Sequence, residues 1–188
     1  MAASKPKQTE QLPEVVDLER YVPAFLTWIA NKLSSGASQS YLAVFGVGIE
    51  TWRCLVLLAI DGSISAQQVS RVIGMDKASV SRCFKGMLAK GLIAMSLDAG
   101  DGRLRIATLT KKGCLLHDQI LGVALAREQA FLSVLKPGEV LVLIDLLQRL
   151  HENLPAVETA TAQYVSQQFP RAAKTRSRGS RRVERNDE

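Results

Sequence analysis

The stretch SAQQVSRVIGMDKASVSRCFKGMLAKGLI, Ser65–Ile93, decides the fold. Ser65 and Gln68 stand three residues apart at the start of an apolar-periodic run. A hydroxyl and an amide at that spacing satisfy two orphan amides of a first helical turn, a capping box. Val69, Val72 and Ile73 form the apolar stripe of this helix, and Gly74 ends it. Asp76 follows after one residue and caps a second helix, which Gly91 terminates. Two short helices joined by a tight glycine-containing turn make a helix-turn-helix.

The second helix has two characters. Val80, Phe84, Met87 and Leu88 fall on one side at the i, i+4, i+7, i+8 spacing of a core-facing stripe. Ser79, Ser81, Arg82 and Lys85 lie off that stripe, and Lys77 occupies the first turn. Small hydroxyls permit close approach to a groove, and the cations reach base edges or phosphates. Such a helix is expected to recognise double-stranded DNA.

Downstream, LIAMSL (Leu92–Leu97) and LRIATL (Leu104–Leu109) alternate as short strands around the glycine-rich DAGDGR. This ribbon reads as a wing beside the recognition helix. Its tip is expected to carry Arg103 and Arg105, and Asp101 is placed to orient Arg103 through a charge-assisted hydrogen bond. Thr110 caps a long helix running to about Leu135. Lys136-Pro137-Gly138 breaks it, and a last helix follows from Glu139 to about Asn153. The apolar residues of this last helix, Val140 to Leu150, cover more than one stripe, which suits a subunit interface better than a monomer's surface.

Upstream, the spacing of Leu18, Val22, Phe25, Leu26, Ile29 and Leu33 predicts a helix over about 18–35, with Gly36 as its terminator. A short turn or helix follows in ASQSYLAVFG. Ile49, Trp52, Val56, Ala59 and Ile60 define another helix closed by Asp61-Gly62. The expected fold is mainly α: a winged helix-turn-helix with N- and C-terminal dimerisation helices. A tail (1–17) precedes a regulator domain over 18–165. Its DNA-binding core spans about 49–113, its dimerisation helices about 18–35 and 114–154, and a basic tail (166–188) closes the chain.

Charge supports this division. The net charge is +6 over 188 residues. It is −1 from Met1 to Ile64, +6 from Ser65 to Gly113, −3 from Cys114 to Pro170 and +4 from Arg171 to Glu188. Positive charge gathered in one central segment and one tail points to a polyanionic partner. The tail composition, poor in large apolar residues, predicts a disordered basic arm.

The ordered set of a Trp-containing helix, the Ser65–Ile93 core, an Asp-x-Arg wing and a closing Leu109-Thr110-x-x-Gly113 resembles the MarR family of bacterial winged-helix regulators. The resemblance implies a homodimer whose terminal helices interlock, and pseudo-palindromic operators. It also implies release by small ligands, a phenol, an aromatic carboxylate or its thioester. By position it places Ser79, Ser81, Arg82 and Lys85 on the recognition helix and Arg103 on the wing. One departure stands out. Ala94-Met95-Ser96 occupies the place where many members carry an arginine, so the wing base is less basic, and the sequence leaves open whether Arg105 compensates. The family's effector pocket lies between the DNA-binding lobe and the dimer helices. Trp28, Tyr41, Phe45, Trp52, Arg53 and His117 are candidates to line it, with Arg53 as anchor for a carboxylate.

Other classes find little in the sequence. It holds no Gly-x-Ser-x-Gly, phosphate loop or paired-histidine motif, so neither an enzyme nor a metal or other cofactor is expected. The competing readings are a winged helix serving as a protein-interaction module, and a DNA-binding regulator without an effector. The polar N-terminus and the absence of a long apolar run predict a cytoplasmic protein with no membrane span. Three cysteines at wide spacing fit neither a disulfide framework nor a zinc site. Cys54 reads as a small core hydrophobe. Cys83 falls within the recognition helix, with Arg82 the one neighbour in sequence that would lower its pKa, and Cys114 begins a helix turn.

Overall fold

A computed structural model describes residues 15–98, 100 and 102–170. Asp101 and both tails, 1–14 and 171–188, lie outside the described residues, and with them the orienting role expected of Asp101 and the basic arm. The elements run α1 (Val22–Phe45), α2 (Ile49–Asp61), β1 (Ser63–Ser65), α3 (Ala66–Ile73), α4 (Lys77–Ala89), β2 (Ile93–Leu97), β3 (Arg105–Leu109), α5 (Lys111–Leu132), α6 (Pro137–Glu152) and α7 (Leu154–Gln168). The chain divides into two compact units at Arg127/Glu128.

The first unit holds the helix-turn-helix and its wing. Ser65 and Gln68 form the expected reciprocal cap on α3, with Gln68 N–H donating to Ser65 Oγ at 3.2 Å and Ser65 N–H to Gln68 Oε1 at 2.9 Å. Gly74 adopts φ +68 at the end of α3, a conformation that suits glycine. Ser70 Oγ donates to Met75 O at 2.6 Å and so ties α3 to the turn before α4. Val80, Phe84 and Met87 are buried, as their spacing predicts, together with Leu55, Leu58, Val69, Leu92, Ile93 and Ala107. Leu88 departs from that stripe and is 47% exposed, on the flank of α4 that lines a groove with Ser81 and Lys85.

Two further differences concern continuity. The wing is a three-stranded sheet in the order β1-β3-β2, with β1 pairing antiparallel to β3 through Ser65↔Ile106. A three-residue strand is too short to show alternation, and it forms here because β3 has an edge left to pair. Likewise α1 does not stop at Gly36 but continues to Phe45, ending at Gly46 with φ +67. The buried pair Ala37 and Tyr41 carries the apolar face onward past the glycine. Arg127 on α5 caps no end there but donates to Leu33 O at 2.9 Å beside it. A Cβ on Gly36 would meet only the Arg127 guanidinium, at 3.4 Å. Gly36→Ala is therefore expected to stabilise the protein by about 0.5–1 kcal/mol, the helix-propensity difference. Denaturant unfolding reads this directly, and a loss of stability would mean that the arginine cannot yield.

The second unit contains the end of α5 with α6 and α7. Proline at the first position of α6 sets its start at Pro137, two residues before the expected Glu139. The helix α7, Leu154–Gln168, went unread in the sequence and runs past the expected domain end at 165. Neither α6 nor α7 buries a residue within the chain. Leu141, Val142, Ile144, Leu147 and Leu150 remain 40–71% exposed. Among the described residues no single helix is long and apolar enough to cross a membrane.

Candidate nucleic-acid interface

The N-terminus of α4 is built by a chain of three side chains. Asp76 accepts from Ser79 N–H at 2.9 Å as the helix cap. The Ser79 hydroxyl donates to the other oxygen of the same carboxylate. Arg82 Nη2 donates to Ser79 Oγ at 2.7 Å. These positions, i, i+3 and i+6, share one face of the helix. The Ser79 hydroxyl, then its backbone N–H, hold the Asp76 carboxyl below the ordinary carboxylate range. A depressed carboxylate contributes its cap above the unfolded-state pKa and loses it only as pH falls through the lowered value, so the chain is intact at neutral pH.

Arg82, Lys85 and Arg105 converge on a groove of about 420 Å³ between α4 and the wing, with Ser81 on its rim and Phe84, Leu88 and Met95 in its lining. Arg105 reaches it from the first residue of β3, paired in register with Leu97. The residue whose contribution the sequence left open thus brings charge to the groove beside Met95. Lys77 is exposed in the first turn of α4. Arg103 is exposed in the turn at the wing tip. That turn is closed by Asp98 N–H on Leu104 O at 2.8 Å and Gly100 N–H on Asp98 Oδ1 at 2.9 Å. The exposure of Leu88, unexpected from its spacing, puts an apolar floor under three cations.

The expected effector residues are brought together in part. Trp52 stacks on His117, centroids 5.4 Å apart at 24°, and meets Tyr41 edge-on at 6.1 Å. Tyr41 is buried, which raises its phenol pKa, and Arg127 opposes that rise. His117 Nδ1 lies 2.9 Å from Asp118 Oδ1. Arg53 donates to Ser34 Oγ at 2.9 Å. Phe45 packs half-buried on the core. Trp28 is not part of this stack: it is exposed on α1 with its ring edge-on to Phe25. Arg127 was missed because its neighbours on α1 lie about 90 residues away in the chain.

Known proteins share this fold. The MarR family profile matches residues 45–104. A MarR/EmrR family transcriptional regulator from Acinetobacter sp. ADP1 is 30% identical, superposes with a TM-score of 0.70, and aligns over 75% of this chain and 99% of its own. The S. aureus MepR–DNA complex (21% identity, TM-score 0.64, 73% and 99% covered) shares the fold. So does PcaV from Streptomyces coelicolor, solved with its natural ligand (24% identity, TM-score 0.59, 74% and 98% covered). The winged helix-turn-helix, its basic groove and a relative matched along nearly its whole length together establish that this chain belongs to the MarR family of transcriptional regulators.

Proposed function

We propose that the protein is a homodimeric repressor that reads a pseudo-palindromic operator with α4 and its wing. In this reading a small aromatic carboxylate, its thioester or a phenol releases it. The observation that carries the DNA reading is the convergence of Arg82, Lys85 and Arg105 on one groove, with Arg82 held along α4 by Ser79 and Asp76. A preset guanidinium loses less freedom on meeting a base edge or a phosphate. Ser79, Ser81 and Lys77 flank it, and Arg103 at the wing tip is placed for the neighbouring minor groove. Dimerisation would cover the exposed apolar faces of α1 and α6 and repeat the reading unit with two-fold symmetry.

Arg82→Ala is expected to weaken specific binding by about 1–3 kcal/mol and to relax preference at one operator position. Asp76→Asn, which retains an oxygen to cap α4, should cost roughly three- to tenfold through the looser arginine. That cost should vanish in the Arg82→Ala background. A double-mutant cycle in a fluorescence-anisotropy titration tests both: an additive result would mean that Asp76 acts through helix stability alone. Equal affinity of Arg82→Ala and the parent for operator and random DNA would overturn the groove as the reading surface.

For the effector, Trp52 is the reporter because its ring touches both Tyr41 and His117. An aromatic carboxylate bound there should alter tryptophan emission and raise the melting temperature. At a hundredfold excess over Kd the stabilisation is about 2.7 kcal/mol. The same compound must weaken operator binding, since only a ligand preferring the DNA-incompetent state shifts the balance. A panel of benzoates and phenols that moves neither melting temperature nor operator affinity would leave the regulator without this class of effector.

A further inference from the structure

Two apolar rows leave the core of the first unit and meet at the groove between α4 and the wing. On α4, Phe84 is buried, and Leu88, one turn on, is exposed. On β2, alternate residues share one face of the sheet: Ile93 is buried, Met95 half-buried and Leu97 exposed. Register sets Met95 opposite the buried Ala107 and Leu97 opposite Arg105, so this face meets the core at one end and opens beside a cation at the other. Leu88 and Met95 line the groove of about 420 Å³ together with Lys85 and Arg105. The charged side chains lining it, Arg82 included, are all cations.

An exposed leucine adds nothing to the stability of the free chain, and neighbouring cations repel one another. A partner that is anionic at intervals and apolar between them satisfies both. A DNA strand has that character, because its phosphates alternate with deoxyriboses whose C2′ carries only hydrogen. In a duplex, the major groove and the adjacent minor groove are separated by one sugar–phosphate strand. A protein with a helix in the first and a wing tip at the second must straddle that strand. The groove between α4 and the wing is the space left for it. Arg82 is turned along α4 toward Ser79, away from the Leu88 end, which leaves Lys85 and Arg105 to hold the phosphates there.

We propose that this groove seats the strand dividing the two DNA grooves, with Leu88 and Met95 against one deoxyribose and Lys85 and Arg105 on its flanking phosphates. Leu88 is then a specificity residue for the sugar, at a nucleotide whose base α4 need not read. A ribose there would bring its 2′-hydroxyl onto the two apolar side chains and lose water without gaining a partner. Ser81, the hydroxyl on the rim, stands seven residues before Leu88, roughly 10 Å along the helix, and does not reach it. This deepens the DNA-binding reading above and rests on it.

The experiment takes an operator duplex enriched by the full chain from random-sequence DNA and substitutes single ribonucleotides along each strand. In fluorescence anisotropy, one position in each half-site is expected to lose affinity by about five- to thirtyfold. A 2′-fluoro substitution at that position, which shifts the sugar pucker as ribose does but brings no hydroxyl, should cost little. A neutral methylphosphonate on either side of that sugar should weaken binding, and Lys85→Ala and Arg105→Ala should each flatten the slope of log K against log salt by about 0.9. Leu88→Ser, a change at an exposed site, should keep the fold by circular dichroism and remove the ribose penalty, because its hydroxyl supplies the missing partner. A duplex in which no position stands out, or in which 2′-fluoro costs as much as ribose, would overturn the inference while leaving DNA binding intact. So would a ribose penalty that persists in Leu88→Ser. If the full chain enriches no duplex at all, the DNA-binding reading falls and the inference falls with it.

Discussion

Gly113→Ala is expected to destabilise the protein by about 3 kcal/mol or more, through overpacking against backbone. Gly113 lies in the first turn of α5, where a Cβ would stand 2.1 Å from the Leu92 carbonyl oxygen and 3.1 Å from its carbon. Neither atom can rotate away as a side chain would. The Leu92 carbonyl is held in turn by Thr110 N–H at 3.1 Å, while Thr110 Oγ donates to Gly91 O at 2.7 Å and accepts from Gly113 N–H at 3.1 Å. These bonds clamp the start of α5 onto the chain between α4 and β2, so the methyl group must lever α5 off the base of the wing. For a chain of this size the melting temperature should drop by roughly 6–12 °C. Operator affinity should fall with it, because the wing and α4 share that base. Guanidinium unfolding of the two alanine variants gives a matched comparison: Gly36→Ala should move the midpoint up and Gly113→Ala down. A Gly113→Ala midpoint within error of the parent would show that α5 can lift without cost.

Placing glutamate at both Ile144 and Leu147 should dissociate the dimer. Both residues are exposed on α6 within the chain, at 47% and 40%, so neither change disturbs a core of the isolated subunit. In a dimer that covers this face, each glutamate becomes a buried unpaired charge, at about 3–5 kcal/mol apiece. Two-fold symmetry doubles the count, so the dissociation constant should rise by at least about a thousandfold. Sedimentation equilibrium should then report a monomer at micromolar concentration with unchanged far-ultraviolet circular dichroism. Operator binding should weaken more than the binding of a single half-site. A variant that sediments as the parent does would place the interface elsewhere.

Much of the DNA-binding core is written in short-range patterns. The Ser65–Gln68 box, the Asp76 cap and the Thr110 cap each depend on residues three positions apart, and each forms as its spacing implies. The placement of Val80, Phe84 and Met87 in the core follows from helical period alone. Arg82 and Lys85 were legible for the same reason: a helix with one buried face leaves the others outside. The Asp76–Ser79–Arg82 chain was readable in principle from its i, i+3, i+6 spacing, although nothing in composition distinguishes it from three surface polar residues.

By itself, then, the sequence determined where the helices of the DNA-binding core begin, which of their faces turn inward, and that a basic helix-turn-helix precedes a ribbon, because caps and periodicity act within one or two turns. Only the tertiary structure decided what depends on partners distant in the chain. Gly36 lies within a helix because Ala37 and Tyr41 beyond it find a core to fill. The strand β1 exists because β3 offers it an edge. Leu88 stays exposed because its flank of α4 faces the groove rather than the core, and Arg105 joins Arg82 because the sheet register carries it there. Thr51 meets Cys83 because α2 crosses α4 at those positions. Each of these outcomes is set by packing between elements, and no local pattern encodes which elements will touch.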